Sequence, residues 1–82
     1  MVIKEINLNS PDQQTINIEA GKIYKINNCV FLYNLGLNEI RLFFIEPNSS
    51  GIPLKSEDMI TNDGDKTIYI TAKKETFIEV VG

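Results

Sequence analysis

Few side chains in this sequence have types and spacing suited to chemistry. Acids gather in one stretch, Glu57, Asp58, Asp63 and Asp65, around an Asp63-Gly64 pair. Several carboxylate and carbonyl oxygens held close together are what a hard cation such as calcium requires. The spacing is not that of an EF-hand loop, because Gly64 comes too early and no Glu closes the set. A solvated acidic turn, with no metal, is therefore the expectation. Tyr24, Tyr33, Tyr69, Phe31, Phe43 and Phe77 offer flat apolar rings on which a sugar could stack, so a glycan is a possible ligand. Packing in a core or an interface is the commoner use of such rings, and the chain has no Trp. Paired-carboxylate catalysis needs a cleft, which a small chain has little room to build. With no His, the chain also lacks the side chain that ordinarily titrates near neutral pH. No catalytic residue and no cofactor are expected.

The elements that would position these groups belong to one small domain, residues 1–82. Such a chain builds a thin core and needs help from disulfides, metal or oligomerisation. Cys29 is the only cysteine, so no internal disulfide can form. It lies in the apolar run Cys29-Val30-Phe31-Leu32 and reads as a buried small hydrophobe. The usual His and Cys metal-ligand sets are missing. Oligomerisation is the aid that remains. The net charge is −3, and the cations are scattered among acids, which argues against nucleic acid as a partner. Met1 to Ile6 has no basic segment followed by a long apolar run, and no apolar stretch reaches the length of a membrane span. A protein folded in a cytoplasm, without a membrane partner, is expected.

Period-two alternation dominates the chain. Val2 to Leu8 places Ile6 and Leu8 on one face; Gln14 to Glu19 sends Ile16 and Ile18 inward; Lys22 to Asn27 sets Tyr24 and Ile26 together. Cys29 to Asn34 and Glu39 to Ile45 are apolar on both faces, a pattern of strands covered on both sides. Leu35-Gly36-Leu37-Asn38 between them has hairpin length, with Gly36 available for a positive φ. Glu46 to Pro53 is rich in breakers and reads as a loop crossing between sheets, after which Leu54, Met59 and Ile60 return to the core. Asp63-Gly64 is a strong type I′ hairpin signal. Lys66 to Ala72 and Thr76 to Val81 alternate cleanly. About eight short strands with frequent turns predict an all-β fold, a small antiparallel sandwich of jelly-roll-like form.

One set of residues points to a partner. Ile40, Leu42 and Phe44 form the first face of their strand and are assigned to the core. Arg41, Phe43 and Ile45 form its second face, and Phe31 lies on the second face of the preceding strand. A small two-sheet domain cannot cover both faces of a strand by itself, and Arg among aromatics is a common interface composition. Phe31, Arg41, Phe43 and Ile45 are therefore the candidate partner interface. The alternative is that the opposite sheet and the Pro47–Pro53 loop cover this face.

The second half carries a recognisable pattern of turns. Its pieces are Asn34-Leu35-Gly36-Leu37-Asn38, Ile40-Arg41-Leu42, Gly51-Ile52-Pro53-Leu54, Ser56-Glu57-Asp58, Gly64, Ile68-Tyr69-Ile70-Thr71-Ala72 and Thr76-Phe77-Ile78-Glu79-Val80. This resembles a class of small bacteriophage β-sandwich proteins found as virion accessory proteins and as tail or fibre modules. Lys55-Ser56 stand where that class carries Pro-Gly. The resemblance implies a virion component assembled in the host cytoplasm, acting by packing against itself or other virion proteins, without enzyme activity. A carbohydrate- or receptor-binding module of a tail fibre is the alternative.

Overall fold

In a computed structural model of the chain, the described residues are 3–9, 12–44, 51–62 and 67–82. They contain β1 (Ile3–Asn7), β2 (Gln13–Ile18), β3 (Ile23–Asn27), β4 (Phe31–Asn34), β5 (Ile40–Phe43), β6 (Ile52–Leu54), β7 (Met59–Thr61), β8 (Ile68–Ala72) and β9 (Thr76–Val81). No helix occurs among the described residues. β-Branched and aromatic residues in period two cannot wrap an apolar stripe on a helix, but they can cover one face of a pleated strand.

The strands form two sheets, β1-β3-β8-β5-β6 and β2-β9-β4-β7. The pairs β2/β9, β3/β8, β4/β7 and β5/β6 are all antiparallel and nest one inside another. The strands thus pair as a long two-stranded ribbon, with β5 and β6 innermost, folded over itself, which is jelly-roll topology. The antiparallel expectation needs one amendment. β1 pairs with β3 in parallel, because the chain crosses to the other sheet as β2 and returns before β3 begins.

The Leu35–Asn38 turn, read as a hairpin, is a sheet crossing. β4 and β5 lie in different sheets, so Leu35–Asn38 spans the sandwich. Gly36 has no positive φ; an added Cβ would lie 1.7 Å from the Thr76 hydroxyl oxygen and 2.8 Å from the Phe77 backbone nitrogen. It is required by close approach to β9. The strands flanking Asp63-Gly64 also belong to different sheets, and residues 63–66 lie outside the described residues. Conversely, the segment expected to cross between sheets joins β5 to β6, which are neighbours in one sheet.

The core fills the space between the sheets. Ile18, Ile26, Leu32, Ile40, Ile68, Ile70, Ile78 and Val80 are fully buried, with Leu8, Tyr24, Leu42 and Leu54 nearly so. Each such side chain contributes about 1.5–3 kcal/mol relative to exposure. The face alternation read from β2, β3, β8 and β9 holds. Met59 does not join the core; it is exposed, while Ile60 beside it is half-buried.

The aromatic pair at the end of β5 exchanges its expected roles. Phe43 shares the outer face with Arg41, as parity requires, yet only 8 % of it is exposed. The Gly51 backbone lies across its ring, where an added Cβ would come 2.6 Å from Cε2. The chain's own loop end thus covers this residue within a single copy of the chain. Phe44 follows the last residue of β5, where the pleat no longer directs it inward, and is 49 % exposed. Its assignment to the core is corrected. Phe43→Ser is expected to cost about 3 kcal/mol by leaving a cavity, and Phe44→Ser less than about 1 kcal/mol. Urea denaturation of both variants checks this; equal losses would contradict the exchange.

Candidate functional site

Among the described residues expected to form one interface, Phe31 does not gather with Arg41 and Phe43. Phe31 is half-buried on the outer face of the four-stranded sheet. Arg41 and Phe43 are on the outer face of the five-stranded sheet, across the sandwich. Ile45 lies outside the described residues.

The pairing registers turn the outer faces into grids. On the four-stranded sheet, Val81 stands between Gln13 and Phe31, and Thr61 follows Phe31; in the next row Glu79 lies between Thr15 and Tyr33, followed by Met59. Phe31, Tyr33, Met59 and Val81 are therefore neighbours, and Glu79 is the only charged residue in these rows. The Gln13 side-chain amide donates to its carboxylate. The sequence signal for this group was the second parity of β4 and β9, which was followed for Phe31 alone. The outer face of the five-stranded sheet is different. It carries Glu5, Lys25 and Arg41 in register with Tyr69, Thr71 and Pro53. Lys25 pairs with Glu5 at 3.7 Å, and Arg41 Nε with Glu39 at 3.4 Å.

The loops at one end of the sandwich converge on Asn34. This side chain is fully buried at an inward position of β4. Its Nδ2 donates to the carbonyls of Asn38 (2.9 Å) and Leu54 (3.0 Å). Its Oδ1 accepts from the Gly36 backbone N–H (3.2 Å) and the Thr76 hydroxyl (3.4 Å). The backbone of Asn34 is tied to the β6–β7 turn by bonds from its N–H to Asp58 O and from Glu57 N–H to its own carbonyl, both 2.9 Å. All donor and acceptor capacity of the amide is used, so Asn34 is a structural clamp and has no lone pair or proton left for a substrate.

The acidic residues are partly engaged in structure too. The Asp58 carboxylate accepts the Lys55 N–H at 3.0 Å and closes its own turn. Asp63 and Asp65 lie outside the described residues. Among the described residues no group of three or more His, Cys, Asp or Glu could hold a metal. On the opposite end, Cys29 is fully buried and its thiol donates to Phe31 O at 3.2 Å. Burial pushes this thiol up from its ordinary range, so little thiolate exists at neutral pH. Glu19, held by the Lys22 ammonium, is pulled below the usual carboxylate range.

Of the aromatics, Tyr24 is core, with its hydroxyl accepting Glu19 N–H at 2.8 Å. Tyr33 and Tyr69 are half-buried on opposite outer faces. Phe77 is 45 % exposed and lines a hollow of about 220 Å³ with Asn17, Leu37, Asn38 and Glu75. A second hollow of about 160 Å³ is lined by Asn38, Glu39, Arg41, Lys73 and Lys74. Asn38 and the β8–β9 turn border both. No family model, no curated protein and no solved structure matches the chain.

Proposed function

We propose that the chain is a non-enzymatic structural subunit of a bacteriophage virion, a head, neck or tail accessory protein that acts by packing against further copies of itself. The observation carrying this reading is the contiguous Phe31, Tyr33, Met59 and Val81 group on the outer face of β2-β9-β4-β7. Uncovered apolar groups on a small domain gain free energy by meeting a like surface. A second copy suits this face because its one charge, Glu79, is already hydrogen-bonded to Gln13. Two such faces related by a two-fold axis would bring no block of like charge together. The outer face of the other sheet carries the ion pairs Glu5–Lys25 and Glu39–Arg41 beside Ile3 and Ile23. The pattern of turns shared with phage β-sandwich proteins, and the use of jelly rolls in viral capsids, support the virion setting.

Sedimentation velocity across a concentration series tests the association. The wild type is expected to dimerise or form larger species, and Met59→Ser with Phe31→Ser to reduce this while the domain stays folded. A wild type that is monomeric at every concentration would overturn the self-packing reading. Mass spectrometry of virions purified from cells expressing the chain tests the setting, and its absence from the particles would overturn that part.

A further inference from the structure

The two hollows at the Asn34 end have complementary chemistry. One presents the exposed Phe77 ring beside two side-chain amides, Asn17 and Asn38, and the Glu75 carboxylate. An apolar ring flanked by amides and a carboxylate is a composition suited to a sugar, whose ring has apolar C–H faces and an equator of hydroxyls. The other presents Arg41, Lys73 and Lys74 against a single acid, Glu39. Among the described residues neither Lys73 nor Lys74 has a carboxylate partner, whereas Lys22, Lys25 and Arg41 each have one. A positive hollow on a chain of net charge −3 is a local inversion of the molecule's own sign.

We infer that this end of the sandwich binds an acidic saccharide, with a sugar ring on Phe77 and a carboxylate in the Arg41–Lys73–Lys74 hollow. The two hollows share Asn38, whose Nδ2 is fixed by a 2.7 Å bond to the Glu75 carbonyl, so the side chain at their boundary is held in place before any ligand arrives. Asn38 is itself anchored through its carbonyl to the buried Asn34 amide. The hollows, about 220 and 160 Å³, are shallow and suit a short oligosaccharide lying across the surface and not a buried ligand. Lysine and arginine recognise a carboxylate through charge-assisted hydrogen bonds, and such contacts weaken with salt. Phe77 and Asn17 stand one row beyond Glu79 and Thr15 on the same outer face as the self-packing group, whereas Lys73 and Lys74 lie in the β8–β9 turn, so the lysine variants test this inference apart from self-packing.

The test is titration of the isotopically labelled protein, followed through backbone amide shifts. Three probes are used: a short oligogalacturonate, a neutral galacto-oligosaccharide of equal length, and inorganic phosphate. The oligogalacturonate is expected to shift the amides of Asn38, Lys73, Lys74 and Phe77, and to bind about tenfold tighter than the neutral sugar. Lys73→Ala with Lys74→Ala should remove that preference, and Phe77→Ala should weaken both sugars. All three side chains are on the surface, and melting curves of the variants verify that they fold. No shift with the acidic sugar overturns the inference, as does equal binding of the acidic and neutral sugars. Phosphate binding as tight as oligogalacturonate, with no effect of Phe77→Ala, would mean a simple anion site and would overturn the saccharide assignment.

Discussion

Asn34→Leu is expected to lower the unfolding free energy by about 4 kcal/mol. Leucine has similar size and suits the surrounding core, so the change isolates hydrogen bonding from volume. It leaves the Asn38 and Leu54 carbonyls and the Thr76 hydroxyl without the amide that now serves them, while the Gly36 N–H keeps its 2.9 Å bond to Phe77 O. A buried polar group deprived of its partner costs about 1–3 kcal/mol, and part of the total is recovered where loops open to water. The loss would be a large share of a stability of about 5–15 kcal/mol, the usual range for a domain. Urea denaturation measures it. A loss below about 1 kcal/mol would show that these three groups find other partners and that the loops are not clamped by this amide.

Gly36→Ala is expected to cost about 3 kcal/mol, although the same change at an ordinary position of this φ would be neutral or slightly stabilising. The new methyl would overlap the Thr76 hydroxyl and press on the Phe77 backbone nitrogen. Moving Thr76 would disturb the bond to Asn34, and moving Phe77 would break the 2.9 Å bond from Gly36 N–H to Phe77 O. Thr76→Ala in the same chain should recover only part of the loss, since the backbone contact persists. Thermal melts of the single and double variants decide this. Wild-type stability for Gly36→Ala would mean that the β4–β5 crossing does not rest on β9.

The strands and their buried faces were legible because alternation is a local property. Ile16 with Ile18, and Ile68 with Ile70, each announce a face without reference to any other strand. Sheet membership was not legible, because a turn's residues fix its local shape and not which strand comes next to it. Asp63-Gly64 carries hairpin chemistry between strands that pair elsewhere, β7 with β4 and β8 with β3 and β5. The same limit separated Phe31 from Arg41, which share a parity but lie in different sheets. Phe43 depended on Gly51, whose backbone sits over the ring only after β5 and β6 have paired. Asn34 reads only as the polar end of the Cys29 to Asn34 strand; its full burial required knowing that three loops meet there.

The nested ribbon also sets the order in which the protein can be made. The innermost pair, β5 and β6, is local and can form as soon as both strands have left the ribosome. Each later pair closes a longer loop, at a rising entropic cost, back to an earlier strand. β9 follows the other eight described strands in the chain, yet it is inserted between β2 and β4 in the middle of its sheet. Until residues 76–81 emerge, β2 has no neighbour in that sheet, and its inward Ile16 and Ile18 lack the strand beside them. Productive folding therefore awaits the appearance of β9, and a nascent chain halted before it presents the open strand edges that invite pairing with another copy.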